Sequence, residues 1–315
     1  MKKLIRTLSA LSLLLVTLCG CRGEQTEDIY IVFTNDVASK MSGEIGYAGV
    51  KGFRDHYLSE HPYVALVDAG DFLDGSISHQ SNGKYIIQVM NAVGYDVVTL
   101  GNQEFSNGLD ALADNIRESN FTYLSCNLKY LGSGIDPLNE VKPYVIKQYG
   151  NTKVAFVGVT TPETLKPGKP AYNALVKDGE LLYDFYGGND GQELYDQVQK
   201  TVDQARRRAD YVIVIAHLGL NSVTKGFSSY ELIANTTGID AMLDGHSHTQ
   251  NAGEAVLNKN GDVVVLASTG EKLDTIGLMI LNKDHTFTTA IYPHVYYKDA
   301  SIQEMVDQIY SELGQ

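Results

Sequence analysis

Eight short, mostly apolar runs organise this chain, at residues 29–34, 64–67, 96–100, 122–125, 153–159, 211–216, 241–243 and 263–267. They are rich in Val, Ile and Tyr, and near-continuous apolar runs of this length are what strands buried on both faces require. Between several of them lie amphipathic segments of helical period, at 85–92, 109–119 and 193–208. Strand, helix, strand at this spacing predicts an α/β domain with buried, largely parallel strands. Beyond residue 276 the pattern changes: 277–281 and 286–294 read as a hairpin, and 301–313 as a terminal helix.

The chain shows no internal repeat and no low-complexity tract, so residues 29–300 read as one domain followed by a C-terminal helix within 301–315. The stretch 160–191, with Pro162, Pro167, Pro170, Gly187 and Gly188, reads as a long loop of the kind that carries function. Arg206, Arg207 and Arg208 read as a solvated helix end. With 25 Lys and Arg against 38 Asp and Glu, the formal net charge is -13. Nucleic-acid binding, which needs clustered positive charge, is therefore not expected. An anionic substrate would have to meet its positive charge at a metal ion, because the side chains are not expected to supply it.

The first residues have the character of a targeting signal. Lys2, Lys3 and Arg6 form a basic start, and the apolar stretch 8–18 is too short to span a bilayer as a helix. It ends in Leu18-Cys19-Gly20-Cys21, the pattern of a bacterial lipoprotein signal. On this reading residues 1–20 are removed, Cys21 is acylated, and 21–28 is a tether between the lipid and the domain. A plain secretory signal or a short N-terminal anchor is the other reading. The expected location is the bacterial cell envelope, outside the cytoplasm and anchored to the membrane through Cys21. Cys126 is then the one thiol left, which leaves no disulfide framework and no zinc-thiolate cluster. It reads as a small buried hydrophobe.

Residues able to bind metal follow the apolar runs. Asp36 lies beyond 29–34, Asp71 beyond 64–67, Asn102 beyond 96–100 and His217 beyond 211–216; His246 and His248 follow 241–243. In an open α/β sheet the carboxyl ends of parallel strands point into one crevice, so all six can converge. Carboxylate and imidazole donors together suit Mn, Zn, Co or Fe better than Ca.

Five motifs in order carry a resemblance: Thr34-Asn35-Asp36, Asp68-Ala69-Gly70-Asp71, Gly101-Asn102 with Glu104-Phe105, Ala216-His217-Leu218-Gly219, and Gly245-His246-Ser247-His248. With them the chain resembles the calcineurin-like metallophosphoesterases, in the branch of the 5'-nucleotidases and UDP-sugar hydrolases. The resemblance implies a four-layer α-β-β-α sandwich with mixed sheets; the chain is expected to be a single catalytic domain, departing from the two-domain members in lacking their C-terminal substrate-binding domain. It also implies one or two divalent ions. Asp71 would bridge them, Asn102, His217 and His246 would complete one site, and Asp36 and His248 would serve the other. Such ions activate a hydroxide and stabilise phosphoryl oxygens. The implied function is hydrolysis of extracytoplasmic nucleotides.

Three positions depart from the family pattern. Ala38 stands where the first motif has a His ligand, and Gln103 and Ser106 replace the His and Asp of the catalytic dyad. Gln103 carries no titratable proton, and Ser106 cannot orient an imidazolium. Asp74 is a speculative substitute ligand, with a loop-capping role as the alternative. Weakened catalysis is expected, favouring phosphoanhydrides and aryl phosphates, whose leaving groups depart as stable anions. The alternative is an inactive relative that binds metal, a nucleotide or a separate partner domain. Base recognition would fall to a separate chain of the C-terminal type, to the loop 160–191, or be absent.

Overall fold

The computed structural model describes Val16–Thr17, Gln25 and residues 27–314. The signal reading and the acylation of Cys21 lie outside the described residues, apart from a pairing of Val16–Thr17 with Phe287 and Thr286 at one sheet edge.

Strands β1 (Ile29–Thr34), β2 (Val64–Asp68), β3 (Val97–Thr99) and β4 (Thr122–Leu124) run parallel in that order. A second sheet holds β5 (Tyr144–Tyr149), β6 (Thr152–Thr160), β7 (Tyr211–His217), β8 (Ala241–Asp244), β9 (Gln250–Leu257) and β10 (Val263–Thr269). Its spatial order is β9-β10-β8-β7-β6-β5, parallel through the middle four strands and antiparallel at both edges. The chain then returns to the first sheet, where β11 (Ile276–Leu281) pairs antiparallel with β1 and β12 (Thr286–Tyr292) antiparallel with β11. Both sheets are thus mixed, as the resemblance implies.

Alternation along the strands builds the layers. Ile29, Ile31 and Phe33 of β1 join Phe156 of β6 and Tyr211, Ile213 and Ile215 of β7 in the apolar layer between the sheets. The alternate residues Tyr30 and Val32 belong to an outer core shared with helices α1 (Gly46–Glu60), α2 (Lys84–Val93), α3 (Leu109–Glu118) and the terminal helix Ala300–Glu312. On the far side, Val212, Val214 and Ala216 pack with Leu194, Val198 and Val202 of α4 (Gln192–Arg206). The result is the four-layer α-β-β-α sandwich. In α2, Ile86, Met90 and Val93 share one buried face with Ile87 and Val89, and each such side chain contributes roughly 1.5–3 kcal/mol on burial.

Several boundaries and elements differ from expectation. Helix α1 was not predicted, because Gly46, Gly49 and Gly52 dilute its helical signal. The glycines answer to packing: a Cβ at Gly52 would meet the Tyr297 carbonyl oxygen at 2.3 Å, and one at Gly49 would meet Val295 Cγ2 at 2.8 Å. The stretch 160–191 is not an open loop. It contains a 3-10 turn (Pro162–Leu165), a short helix (Pro170–Ala174) and a strand (Tyr183–Phe185) paired with Leu128–Tyr130. Arg206 is not a solvated end either: its guanidinium is half-buried, pairs with Asp240 and donates to the Asp210 and Gly238 carbonyls. Cys126 is buried, and burial pushes its thiol up to about 12.

Candidate metal centre

Every sequence-predicted donor lies at or just beyond the carboxyl end of a parallel strand. Asp36 follows β1, Asp71 follows β2, Asn102 follows β3, His217 ends β7, and His246 and His248 follow β8. Turning each chain sharply at the strand end places Asp36, Asp71, His246 and His248 at φ values of 51°, 60°, 76° and 53°. Left-handed backbone at a non-glycine residue costs of order 1–3 kcal/mol and persists where the surroundings over-determine it, as at functional sites.

The donors converge across the gap between the sheets. His217 Nε2 lies 3.1 Å from Asp71 Oδ2 and 3.9 Å from Asp36 Oδ1, and His248 Nε2 lies 3.4 Å from Asp36 Oδ1. Ligand atoms of Asp71, His217 and His246 all fall within 4.8 Å of one another. His217 Nδ1 donates to the Ala69 carbonyl at 2.7 Å, which aims Nε2 into the centre. Asp36 Oδ2 accepts from the Asn35 amide at 2.8 Å and the His246 backbone at 2.9 Å, leaving Oδ1 to face the same point.

Three buried polar atoms there lack a hydrogen-bond partner: Asp36 Oδ1, Asn102 Oδ1 and His217 Nε2. Buried polar atoms are rarely left so, and each explains itself if a cation completes it. The donor set of two carboxylates, an amide oxygen and imidazoles fits a divalent transition ion. The electrostatics agree. Burial alone would lower His217, but Asp71, Asp36 and Glu104 outweigh it and raise it to about 10. Burial alone would raise Asp71, yet His217 holds its carboxyl below the ordinary carboxylate range.

Residues outside the predicted set hold the centre in place. Glu104, fully buried, accepts from the backbone N–H groups of Gly101 at 2.6 Å, Asp71 at 2.9 Å and Leu73 at 3.0 Å. It ties the Asp71 and Asn102 loops together. Asp244 Oδ1 does the same for Leu218 and Gly219 beyond β7. Gly101 is required by proximity, since a Cβ there would meet Asp71 Oδ1 at 2.3 Å. Glu163 Oε2 lies 3.3 Å from His246 Nε2, and Glu271 Oε2 lies 3.4 Å from His248 Nδ1. Glu163 follows β6, so the rule that found the other donors would have found it too.

Of the departures, Ala38 brings no donor; its backbone N–H donates to the Asp71 carbonyl at 3.0 Å. Asp74 Oδ1 accepts from the Gly75 backbone at 2.7 Å, a loop contact. Gln103 donates its backbone N–H to Asp71 Oδ1 at 2.8 Å, and Ser106 Oγ donates to Gln103 Oε1 at 2.7 Å. A cavity of about 250 Å³ opens beside these groups, lined by Asn102, Gln103, His246, Glu163, Lys166 and Lys169 among others. The two lysines correct the expectation that side chains supply no positive charge to this site.

Fold and donor set together define a two-sheet α/β domain with a candidate metal site at its strand ends. The family model described as bacterial capsule synthesis protein PGA_cap matches residues 60–271. The trifunctional nucleotide phosphoesterase protein YfkN of Bacillus subtilis is 27% identical over 291 residues, 80% of this chain and 19% of that protein. The 5'-nucleotidase of Bos taurus is 30% identical over 241 residues, 70% of this chain and 38% of that protein. The crystal structure of a 5'-nucleotidase precursor from Thermus thermophilus superposes with a TM-score of 0.77 at 20% identity, over 91% of this chain and 59% of that one. That likeness shows the fold. The chain belongs to the calcineurin-like metallophosphoesterases and corresponds to the N-terminal metallophosphoesterase domain of the 5'-nucleotidase family. It spans well under half the length of the two curated relatives described.

Proposed function

We propose that this chain is a metal-dependent phosphoesterase that releases phosphate from nucleotides outside the cytoplasm, held to the envelope through Cys21. The observation that carries the reading is the trio of partnerless buried atoms, Asp36 Oδ1, Asn102 Oδ1 and His217 Nε2, gathered about Asp71 beside a cavity that Asn102 and His246 line. Asp36, Asp71, Asn102, His217, His246 and His248 would hold one or two divalent ions, such as Mn, Zn, Co or Fe. Bound ions supply Lewis acidity that activates water and stabilises phosphoryl oxygens.

The chain's own residues then set which substrates react. Gln103, its carbonyl held by Ser106, offers the phosphate a neutral N–H donor and no proton for a departing alcohol. A positioned acid is worth about 10²–10⁴-fold. Leaving groups that depart as stable anions, in phosphoanhydrides and aryl phosphates, escape that loss. The base of a nucleotide would be gripped by the segment 160–191 or by a separate chain.

The test is phosphate release by the purified protein with Mn, Zn or Co, on AMP, UDP-glucose and p-nitrophenyl phosphate, with Asp71→Asn as blank. Release above the blank, fastest on the activated substrates, is expected. Ala38, Gln103 and Ser106 favour a second reading, an inactive relative that binds metal and a nucleotide or partner domain. No release with any metal would select it.

A further inference from the structure

We infer that Lys166 and Lys169 form a second anion subsite beside the metal-ligand group, one that takes the further phosphate of a phosphoanhydride such as a nucleoside diphosphate. This deepens the phosphoesterase reading and rests on it. Both lysines line the same cavity as Asn102, Gln103 and His246. In a chain of net charge -13, two cations against one carboxylate, Glu163, leave the lining of this cavity net positive.

Their ammonium groups are uncommitted. Among the described residues neither lysine makes an ion pair or side-chain hydrogen bond. The carboxylate in the same cavity, Glu163, makes no ion pair with either of them. Its Oε1 accepts from Ser222 Oγ at 3.1 Å and the Thr224 backbone at 3.0 Å, and its Oε2 faces His246. The backbone beneath the lysines is anchored on both flanks. Pro162 and Thr164 are buried before Lys166, Ala171 and Leu175 are buried after Lys169, and Pro170 fixes the backbone at the start of the short helix. Side chains with long, mobile stems thus rise from a fixed base, three residues apart.

This placement fits the altered dyad. When a phosphoanhydride is hydrolysed, an oxygen–phosphorus bond forms from water and the bridging oxygen–phosphorus bond breaks. The bridging oxygen keeps the electron pair and leaves as the phosphate anion of the remaining nucleotide. One proton of the water stays on the released phosphate and the other passes to solvent. No acid is needed at the leaving oxygen, so Gln103 is adequate, and the lysine pair holds the anion that departs.

The experiment titrates manganese-loaded wild-type protein and the Lys166→Gln, Lys169→Gln double variant with two probes, orthophosphate and the non-hydrolysable methylene analogue of ADP. Both lysines are exposed, and thermal unfolding checks that the variant folds. We expect the double variant to lose about ten- to thirty-fold in affinity for the ADP analogue, and at least fivefold less for orthophosphate. Equal losses for the two probes, no loss for either, or no binding of the analogue by wild-type protein would each overturn the subsite. Lysine-dependent binding in a protein that releases no phosphate from any substrate would end the hydrolase reading and leave the subsite standing.

Discussion

Ser106 Oγ donates to Gln103 Oε1 at 2.7 Å, which occupies the carbonyl and leaves the amide nitrogen as the free donor of a residue that lines the cavity. The pair keeps the shape of an acid and its orienting partner and loses the titration. Converting Gln103→His together with Ser106→Asp should therefore raise AMP hydrolysis by about 10²-fold or more, with a much smaller gain on p-nitrophenyl phosphate. The variant should also acquire a limb near neutral pH that the wild type lacks. Equal gains on both substrates would show that the pair does not act on the leaving group.

His217 makes metal uptake pH-dependent. Its imidazole is buried, and Asp71, Asp36 and Glu104 overcome the effect of burial to raise it to about 10. Because this folded value lies above the unfolded one, the proton stabilises the metal-free fold fully below pH ~6.5, and that stabilisation is lost as pH rises through about 10. A metal ion needs the neutral ring, so binding at pH 7 must expel the proton. Calorimetric titration of Mn or Zn in buffers of different ionisation enthalpy should give about one proton released for this site. Affinity should climb toward tenfold per pH unit below that value. Uptake with no proton released would remove His217 from the ligand set.

Glu104 is a stability determinant as well as a clamp. Its carboxylate satisfies three buried backbone donors, on Gly101, Asp71 and Leu73. Glu104→Ala strands all three, and each buried unpaired donor costs about 1–3 kcal/mol. A loss of roughly 3–5 kcal/mol is expected from urea unfolding of the metal-free protein. Glu104→Gln, which keeps one acceptor oxygen, should lose about half as much. A loss under ~1 kcal/mol for the alanine variant would mean that water replaces the carboxylate.

The fold was legible where strands are buried on both faces, because β1 and β7 are apolar at nearly every position and say so locally. It was not legible at β5 and β9, antiparallel edge strands whose sequences mix polar and apolar residues and are only partly buried. The six metal donors were readable from one rule, the polar residues beyond a buried strand, which is a consequence of parallel topology. Glu104 stood in plain view within a motif, but its role depends on three N–H groups from two loops that only the fold brings together. Lys166 and Lys169 carry no local signal at all. Their place in the cavity lining comes from the packing of 160–191 beside Asn102, Gln103 and His246, a tertiary fact.

Gly245 shows how little room the centre leaves. A Cβ there would meet His217 Nδ1 at 2.9 Å, and the Ala69 carbonyl oxygen and Asp36 Oδ2 at 3.0 Å each. Two of those atoms are the partners of the 2.7 Å hydrogen bond that aims His217, and the third belongs to the carboxylate facing it. Gly245→Ala must therefore push His217 and Asp36 apart, with an overpacking cost of about 1–3 kcal/mol. The larger effect should fall on metal affinity, at least tenfold weaker, because both ligands move at once. Gly134→Ala, whose Cβ would meet only Tyr130 Oη at 3.9 Å, is the control and should change neither quantity. If Gly245→Ala binds metal as tightly as wild type, His217 and Asp36 are not held where the ion sits, and the assignment of the centre falls with them.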